Sequence, residues 1–225
     1  MKKRVLITGT TSGIGRGLMN HYAQEDWSVV AFNRREDKNL GSGLSNVHFI
    51  HSDVRDRIAI QNYFKTAHQK NELPELYYLN AGINKIDTKD TFSLDIFQEV
   101  MEINLTGVLN FIDAALPYLK GKNATFVASS STSSIFPNPN NLGYYISKLA
   151  EAKIFGRLDS RFASSNLRFK TLILGPIATN ISGGMLASKL LSLVRNLITV
   201  STETAVPKIV RFVHSPRRIL YYPLP

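Results

Sequence analysis

The sequence predicts an α/β fold in which a parallel sheet of about seven strands carries helices on both faces. Three observations support it. Short apolar runs alternate with stretches of helical periodicity along most of the chain, and that alternation requires right-handed crossovers between parallel strands. A glycine-rich turn follows the first run directly, where a doubly wound sheet places its anion-binding loop. The 225 residues, 44% of them hydrophobic, suffice to bury one large core. No repeat or composition break divides them, so residues 1–225 are read as one domain.

The elements follow in order. Residues 4–8 read as a buried strand, and glycines 9, 13 and 15 lead into a helix over 14–24. Strands at 28–32 and 47–50 flank a polar loop containing Gly41-Ser42-Gly43, and a helix over 58–69 precedes a strand at 76–79. A long helical stretch covers 97–119, followed by a strand at 124–129, a helix over 144–162 and a strand at 169–174. Helices at 185–198 and 203–214 and a closing strand at 218–222 complete the chain. The apolar Leu186, Leu190, Leu191, Val194 and Leu197 suit either a packed helix face or a lid, so 180–215 is read as a helical substrate-loop region.

Composition narrows the function classes. The absence of cysteine excludes disulfides, a thiol nucleophile and thiolate metal sites. Met1-Lys2-Lys3-Arg4 resembles the start of an export signal, but only Val5-Leu6-Ile7 follow before Thr8-Gly9 interrupts the run. No stretch reaches the ~18 to 20 apolar residues that span a bilayer, so a cytoplasmic protein is expected. The 27 Lys+Arg against 17 Asp+Glu give +10, which suits an anionic ligand. Those charges are spread over the N-terminus, Arg34-Arg35-Lys38 and the last quarter rather than one aromatic-interleaved stripe, so nucleic acid is not the expected partner.

The chemistry centres on Tyr144-Tyr145-Ile146-Ser147-Lys148 and the serines at 129–134. On a helix Tyr144 and Lys148 stand one turn apart on one face. A free phenol titrates near ~10, and a neighbouring cation favours phenolate, which lets the hydroxyl exchange a proton with a carbonyl or alcohol near neutrality. An ordinary aromatic-plus-lysine face is the competing reading for the pair taken alone. In the turn, Gly9, Thr11, Ser12, Gly13, Ile14 and Gly15 form G-x-x-x-G-x-G between strand and helix. Backbone amides there can approach a pyrophosphate at the helix N-terminus. No Gly-Lys-Ser/Thr follows, so it is not a Walker loop.

Taken together these motifs resemble the short-chain dehydrogenase/reductase family, in its compact single-domain branch with a Rossmann-like sheet. Thr8-Gly9-x-x-x-Gly13-Ile14-Gly15 looks like its cofactor motif and Asn80-Ala81-Gly82 like its Asn-Ala-Gly. Asp53-Val54 resembles the pair that meets adenine, Asn104 the helical catalytic asparagine, and Tyr144-x-x-x-Lys148 the active-site pair. Ser131 lies at the spacing of the catalytic serine, although the serine run permits a slip to Ser130. Residues 174–179 resemble the segment that meets the nicotinamide carboxamide through Gly175, the Ile177 amide and Thr179, with Leu174 where proline is usual. The usual glycine-rich ending is replaced by Tyr221-Tyr222-Pro223-Leu224-Pro225.

The resemblance implies reversible hydride transfer between nicotinamide and a carbonyl. Ser131 would hold the carbonyl oxygen and Tyr144 protonate it, Lys148 would assist Tyr144 and hold the ribose, and Asn104 would hold a water linked to Lys148. Where an NAD-specific member carries an acid after the second strand, this chain has Asn33-Arg34. Arg34 can fork onto a 2′-phosphate, so NADP(H) is favoured and NAD(H) stays open. A small carbonyl or alcohol substrate and a homodimer or homotetramer are expected, with no metal, since His21, His48, His51, His68 and His214 give no ligand spacing. The apolar Ile135, Phe136 and Pro137 and the segment over 181–198 are expected to border the substrate cleft. Two rivals stand beside this reading: an acyl hydrolase on the serines, which lacks a Gly-x-Ser-x-Gly elbow, and an NADP(H)-binding regulatory or scaffold protein without turnover.

Overall fold

A computed structural model of the chain describes residues 2–36, 40–41, 43–86, 92–136, 139–177 and 200–223. Among them are strands β1 (Arg4–Thr8), β2 (Ser28–Asn33), β3 (Val47–His51), β4 (Leu76–Leu79), β5 (Ala124–Ser131), β6 (Leu167–Leu174) and β7 (Ile219–Tyr222). They form one sheet in the order β3-β2-β1-β4-β5-β6-β7, and every pair is parallel. The order reverses between β1 and β4. A crevice opens at such a switch point beyond the carboxyl ends of the strands, and Gly9 and Asn80 follow those two ends.

The central strands are apolar because both faces are covered. In β1, Val5 and Ile7 enter one layer with Leu18, Met19 and Tyr22 of α1 (Gly13–Gln24). Leu6, between them, enters the opposite layer with Ile60 and Phe64 of α2 (Arg57–Gln69), as the two-residue period of a strand requires. In that second layer Tyr77, Phe126 and Phe169 pair across β4, β5 and β6 and stack at centroid spacings of 4.5 and 5.0 Å. Phe155 of α5 (Leu142–Arg161) meets the Phe169 ring edge-on, which seats the helix that carries Tyr144 and Lys148.

Several boundaries differ from the sequence expectation. The continuous helix expected over 97–119 is α3 (Leu94–Met101), a π turn (Glu102–Thr106), α4 (Gly107–Ala115) and a short 3-10 turn (Leu116–Tyr118). A π turn breaks the i→i−4 ladder and commonly marks a functional position; here it holds Asn104. Of the region 180–215, residues 180–199 lie outside those described. Within the rest, α6 (Thr202–Val213) buries Ala205, Val206, Ile209, Phe212 and Val213 beside α1, so this part is framework packed on the sheet and not a loop over the cleft. No helix among the described residues is long and apolar enough to cross a membrane.

Candidate active site

The glycine turn is held from three strands. Gly9 adopts φ +73°, and a Cβ there would lie 2.9 Å from the Ala81 Cα. A Cβ on Gly15 would lie 2.1 Å from the Gly9 carbonyl oxygen, so only glycine lets α1 start this close to β1. Thr8 Oγ1 accepts from the Asn80 and Ala81 amides, each at 2.9 Å. Asn80 Nδ2 donates to the Thr8 and Gly9 carbonyls, and Ser129 Oγ donates to Asn80 Oδ1 at 3.1 Å. Asn33 is buried, its Oδ1 accepting from the Thr10 amide at 2.7 Å. Helices α2 and α6 begin on side-chain caps from Asp56 and Ser201, whereas Ser12 makes none at the start of α1. The turn thus presents an uncapped helix N-terminus beside close-packed glycines, an arrangement that fits an anionic pyrophosphate.

Farther along this edge, Asp53 is already engaged. Its carboxylate accepts from the Arg55 guanidinium at 2.9 Å through both oxygens and from the Arg55 amide at 3.0 Å. The Arg55 hydrogen bonds hold the Asp53 carboxyl below its usual range. Arg34 Nη1 lies 3.8 Å from the same carboxylate, with 49% of its side chain exposed. Val54 packs against Gly107, and its carbonyl accepts from Asn110.

At the other end, Tyr144 and Lys148 share one face of α5, with the Lys148 Nζ 5.9 Å from the Tyr144 ring centroid and both side chains buried. A Cβ placed on Gly82 would lie 3.1 Å from Asn104 Oδ1 and 3.6 Å from Lys148 Nζ, so the Asn-Ala-Gly segment, the π turn and α5 converge. The Asn104 carboxamide accepts from the Ile83 amide and donates to the Ile83 carbonyl and to Ser147 Oγ. It is a brace between two segments, with its polar atoms in use. Lys148 donates to the Ser129 carbonyl at 2.8 Å and to both Glu151 oxygens at 3.0 Å. Burial, only partly offset by Lys148, pushes the Glu151 carboxyl up to about 7.

The two candidate serines separate cleanly. Ser130 is buried and donates to the Lys148 carbonyl at 2.7 Å. Ser131, half-buried at the end of β5, accepts from the Ser133 amide at 3.1 Å, and among the described residues its own proton meets no acceptor. Gly175 donates its amide to the Tyr222 carbonyl and Ile177 bridges to Val200; Thr179 and Pro137 lie outside the described residues. Ile135 and Phe136 are exposed. Sequence reasoning placed Thr8 and Ser129 within motifs without foreseeing that they tie the turn together, and it missed Arg55 and Glu151. Glu151 had a signal: three residues after Lys148, it falls on the face that also carries Ser147 and Phe155.

A family model described as short chain dehydrogenase matches residues 3–189. The chain belongs to that family. Among characterised relatives of this short-chain dehydrogenase, the glucose 1-dehydrogenase of Gluconobacter oxydans is 29% identical over 193 residues, covering 80% of this chain and 71% of the relative. The 3-oxoacyl-[acyl-carrier-protein] reductase FabG of Thermotoga maritima is 28% identical over 185 residues, covering 79% and 75%. Among solved structures, 3-ketoacyl-(acyl-carrier-protein) reductase from Brucella melitensis complexed with NADH superposes with TM-score 0.84 at 19% identity, over 98% of this chain and 96% of that one. A serine dehydrogenase complexed with NADP+ gives 0.85 at 19% identity, over 97% and 93%. The family of oxidoreductases and the parallel fold expected from the sequence are therefore both present.

Proposed function

We propose that the 225 residues work as one unit, an NADP(H)-dependent oxidoreductase that interconverts a small carbonyl and its alcohol. The observation that carries this reading is the convergence of Tyr144, Lys148, Asn104 and Gly82 beside the glycine turn. A nicotinamide cofactor supplies the hydride. Gly9, Thr11, Ser12, Gly13, Ile14 and Gly15 hold its pyrophosphate, and Asn80 and Ala81 fix the turn against β4. Gly82 leaves room for its ribose next to Lys148. Gly175, Ile177 and Thr179 border the nicotinamide, and Val54 the adenine. Asp53, whose oxygens already accept from Arg55, offers the adenine less than a free carboxylate.

Each reacting group has one task. Ser131 donates its proton to the substrate oxygen, and Tyr144 gives that oxygen a proton as charge develops. The Lys148 ammonium favours negative charge on the phenol oxygen as the proton leaves, and Asn104 keeps the Ile83 segment and α5 at fixed separation. Exposed Arg34 supplies a fork for a 2′-phosphate, and buried Asn33 adds no charge against it. Relatives named as dehydrogenases and reductases, and fold neighbours solved with NADP+ or NADH, support the cofactor class. The exposed Phe92, Leu94 and Leu142 beside the α3–α5 packing supply apolar surface for a homodimer or homotetramer, which equilibrium sedimentation checks.

The test follows NADPH and NADH absorbance across steroid, acyl, aromatic aldehyde and quinone carbonyls, with Tyr144→Phe as control. NADPH oxidation that is lost in Tyr144→Phe supports the assignment; equal turnover by the variant overturns it. One observation favours a binding protein without turnover: Glu151 occupies Lys148 donors. NADPH binding with no oxidation of any carbonyl would select that reading.

A further inference from the structure

We propose that Glu151 is a positioning residue for Lys148: it holds the ammonium until a nicotinamide ribose takes over the ammonium's donors, and it takes up a proton when it lets go. The inference rests on the cofactor site proposed above. Its starting point is the pair itself, with side-chain exposures of 3% for Lys148 and 0% for Glu151. Both carboxylate oxygens sit 3.0 Å from Nζ, and Lys148 is the sole hydrogen-bond partner of Glu151 among the described residues. An ammonium has three N–H donors. One serves the Ser129 carbonyl at 2.8 Å, so Glu151 draws on those that remain.

Two hydroxyls of a ribose placed beside Gly82 compete for the same donors. A carboxylate that loses its cation inside the protein is costly, and the cheaper state is the neutral acid. The exchange is balanced: a solvent proton bonds to one Glu151 oxygen, Lys148 stays an ammonium, and no other bond changes. The position of the Glu151 carboxyl at about 7 puts this change within reach near neutrality.

Among the described residues, the other ionisable groups on the neighbouring elements have their own partners or are exposed. On α5 itself, Tyr144 faces Lys148, Asp159 pairs with Arg218, and Lys153 and Arg157 are exposed. From α3 and the π turn, Glu99 pairs with Lys85 and Glu102 with Arg55, while Asp95 is exposed. β5 carries no ionisable side chain; on β6, Lys170 lies against Phe212 of the opposite layer and Arg168 bonds the Ser165 carbonyl.

Proton uptake is measured by calorimetric titration of the full chain with NADPH just above neutral pH, in two buffers of different ionisation enthalpy. Wild type should take up about half a proton more than Glu151→Gln, which keeps an acceptor for Lys148 but cannot titrate. Comparing the two cancels the proton uptake of the 2′-phosphate. Glu151→Leu should match Glu151→Gln in uptake and bind NADPH more tightly, since Lys148 is no longer shared. A protonated-carboxyl band appearing in the infrared difference spectrum of wild type on NADPH addition gives the same answer without a variant. Equal uptake by wild type and variant, or no such band, overturns the role of Glu151 and leaves the cofactor site standing. Failure of wild type to bind NADPH at all sinks the cofactor reading, and the inference with it.

Discussion

Replacing Glu151 by Gln should make stability less dependent on pH. Burial raises the carboxyl from its ordinary 4.5 to about 7 in the folded chain. Between those values the folded state keeps a proton that the unfolded state has lost, so the folded protein loses stability as pH rises through the window. At about 1.4 kcal/mol per unit, the interval amounts to about 3 kcal/mol. Below pH 4.5 the residue is neutral in both states and Gln resembles it, whereas above pH 7 wild type bears the full cost and the amide bears none. Urea unfolding of both proteins on either side of the window measures the difference. The Gln variant should gain on wild type by about 3 kcal/mol, a midpoint shift on the order of 1 M urea. A gap between the two proteins that stays constant with pH would refute the reasoning, because it would mean that burial does not hold the proton on Glu151.

Three further outcomes are expected. Ser131→Ala should lower turnover roughly 10²-fold or more while leaving stability nearly unchanged, whereas Ser130→Ala, which removes a buried bond to the Lys148 carbonyl, should cost about 1–3 kcal/mol with chemistry retained; steady-state rates and thermal melts of the pair separate them. Arg34→Ala should weaken NADPH binding about tenfold and leave NADH binding unchanged, read by cofactor fluorescence. Phe126→Ala, at the centre of the Tyr77–Phe126–Phe169 stack, should destabilise the chain by about 3–5 kcal/mol in chemical unfolding.

Much of the fold was legible because strand and helix signals are local. Val5-Leu6-Ile7 reads as a strand buried on both faces, and it is one. The G-x-x-x-G-x-G turn and the Tyr144/Lys148 pair were equally readable, since spacing within one element fixes which side chains share a face. The long helix expected over 97–119 is interrupted by the π turn at Glu102–Thr106. The apolar period continues through the π turn, and the break at Asn104 depends on its bonds to Ile83 and Ser147, 21 and 43 residues away.

By itself, then, the sequence determined the order of strands and helices, the glycine turn between β1 and α1, and the presentation of Tyr144 and Lys148 on one helix face. Tertiary structure alone decided which groups were still available for chemistry. It turned Ser130 onto the Lys148 carbonyl, left the Ser131 proton without an acceptor among the described residues, and buried Asn33 against Thr10. The physical reason is that burial and hydrogen-bond partnership are set by what packs from distant segments. A local pattern can place a side chain on a face, but it does not say what that face meets.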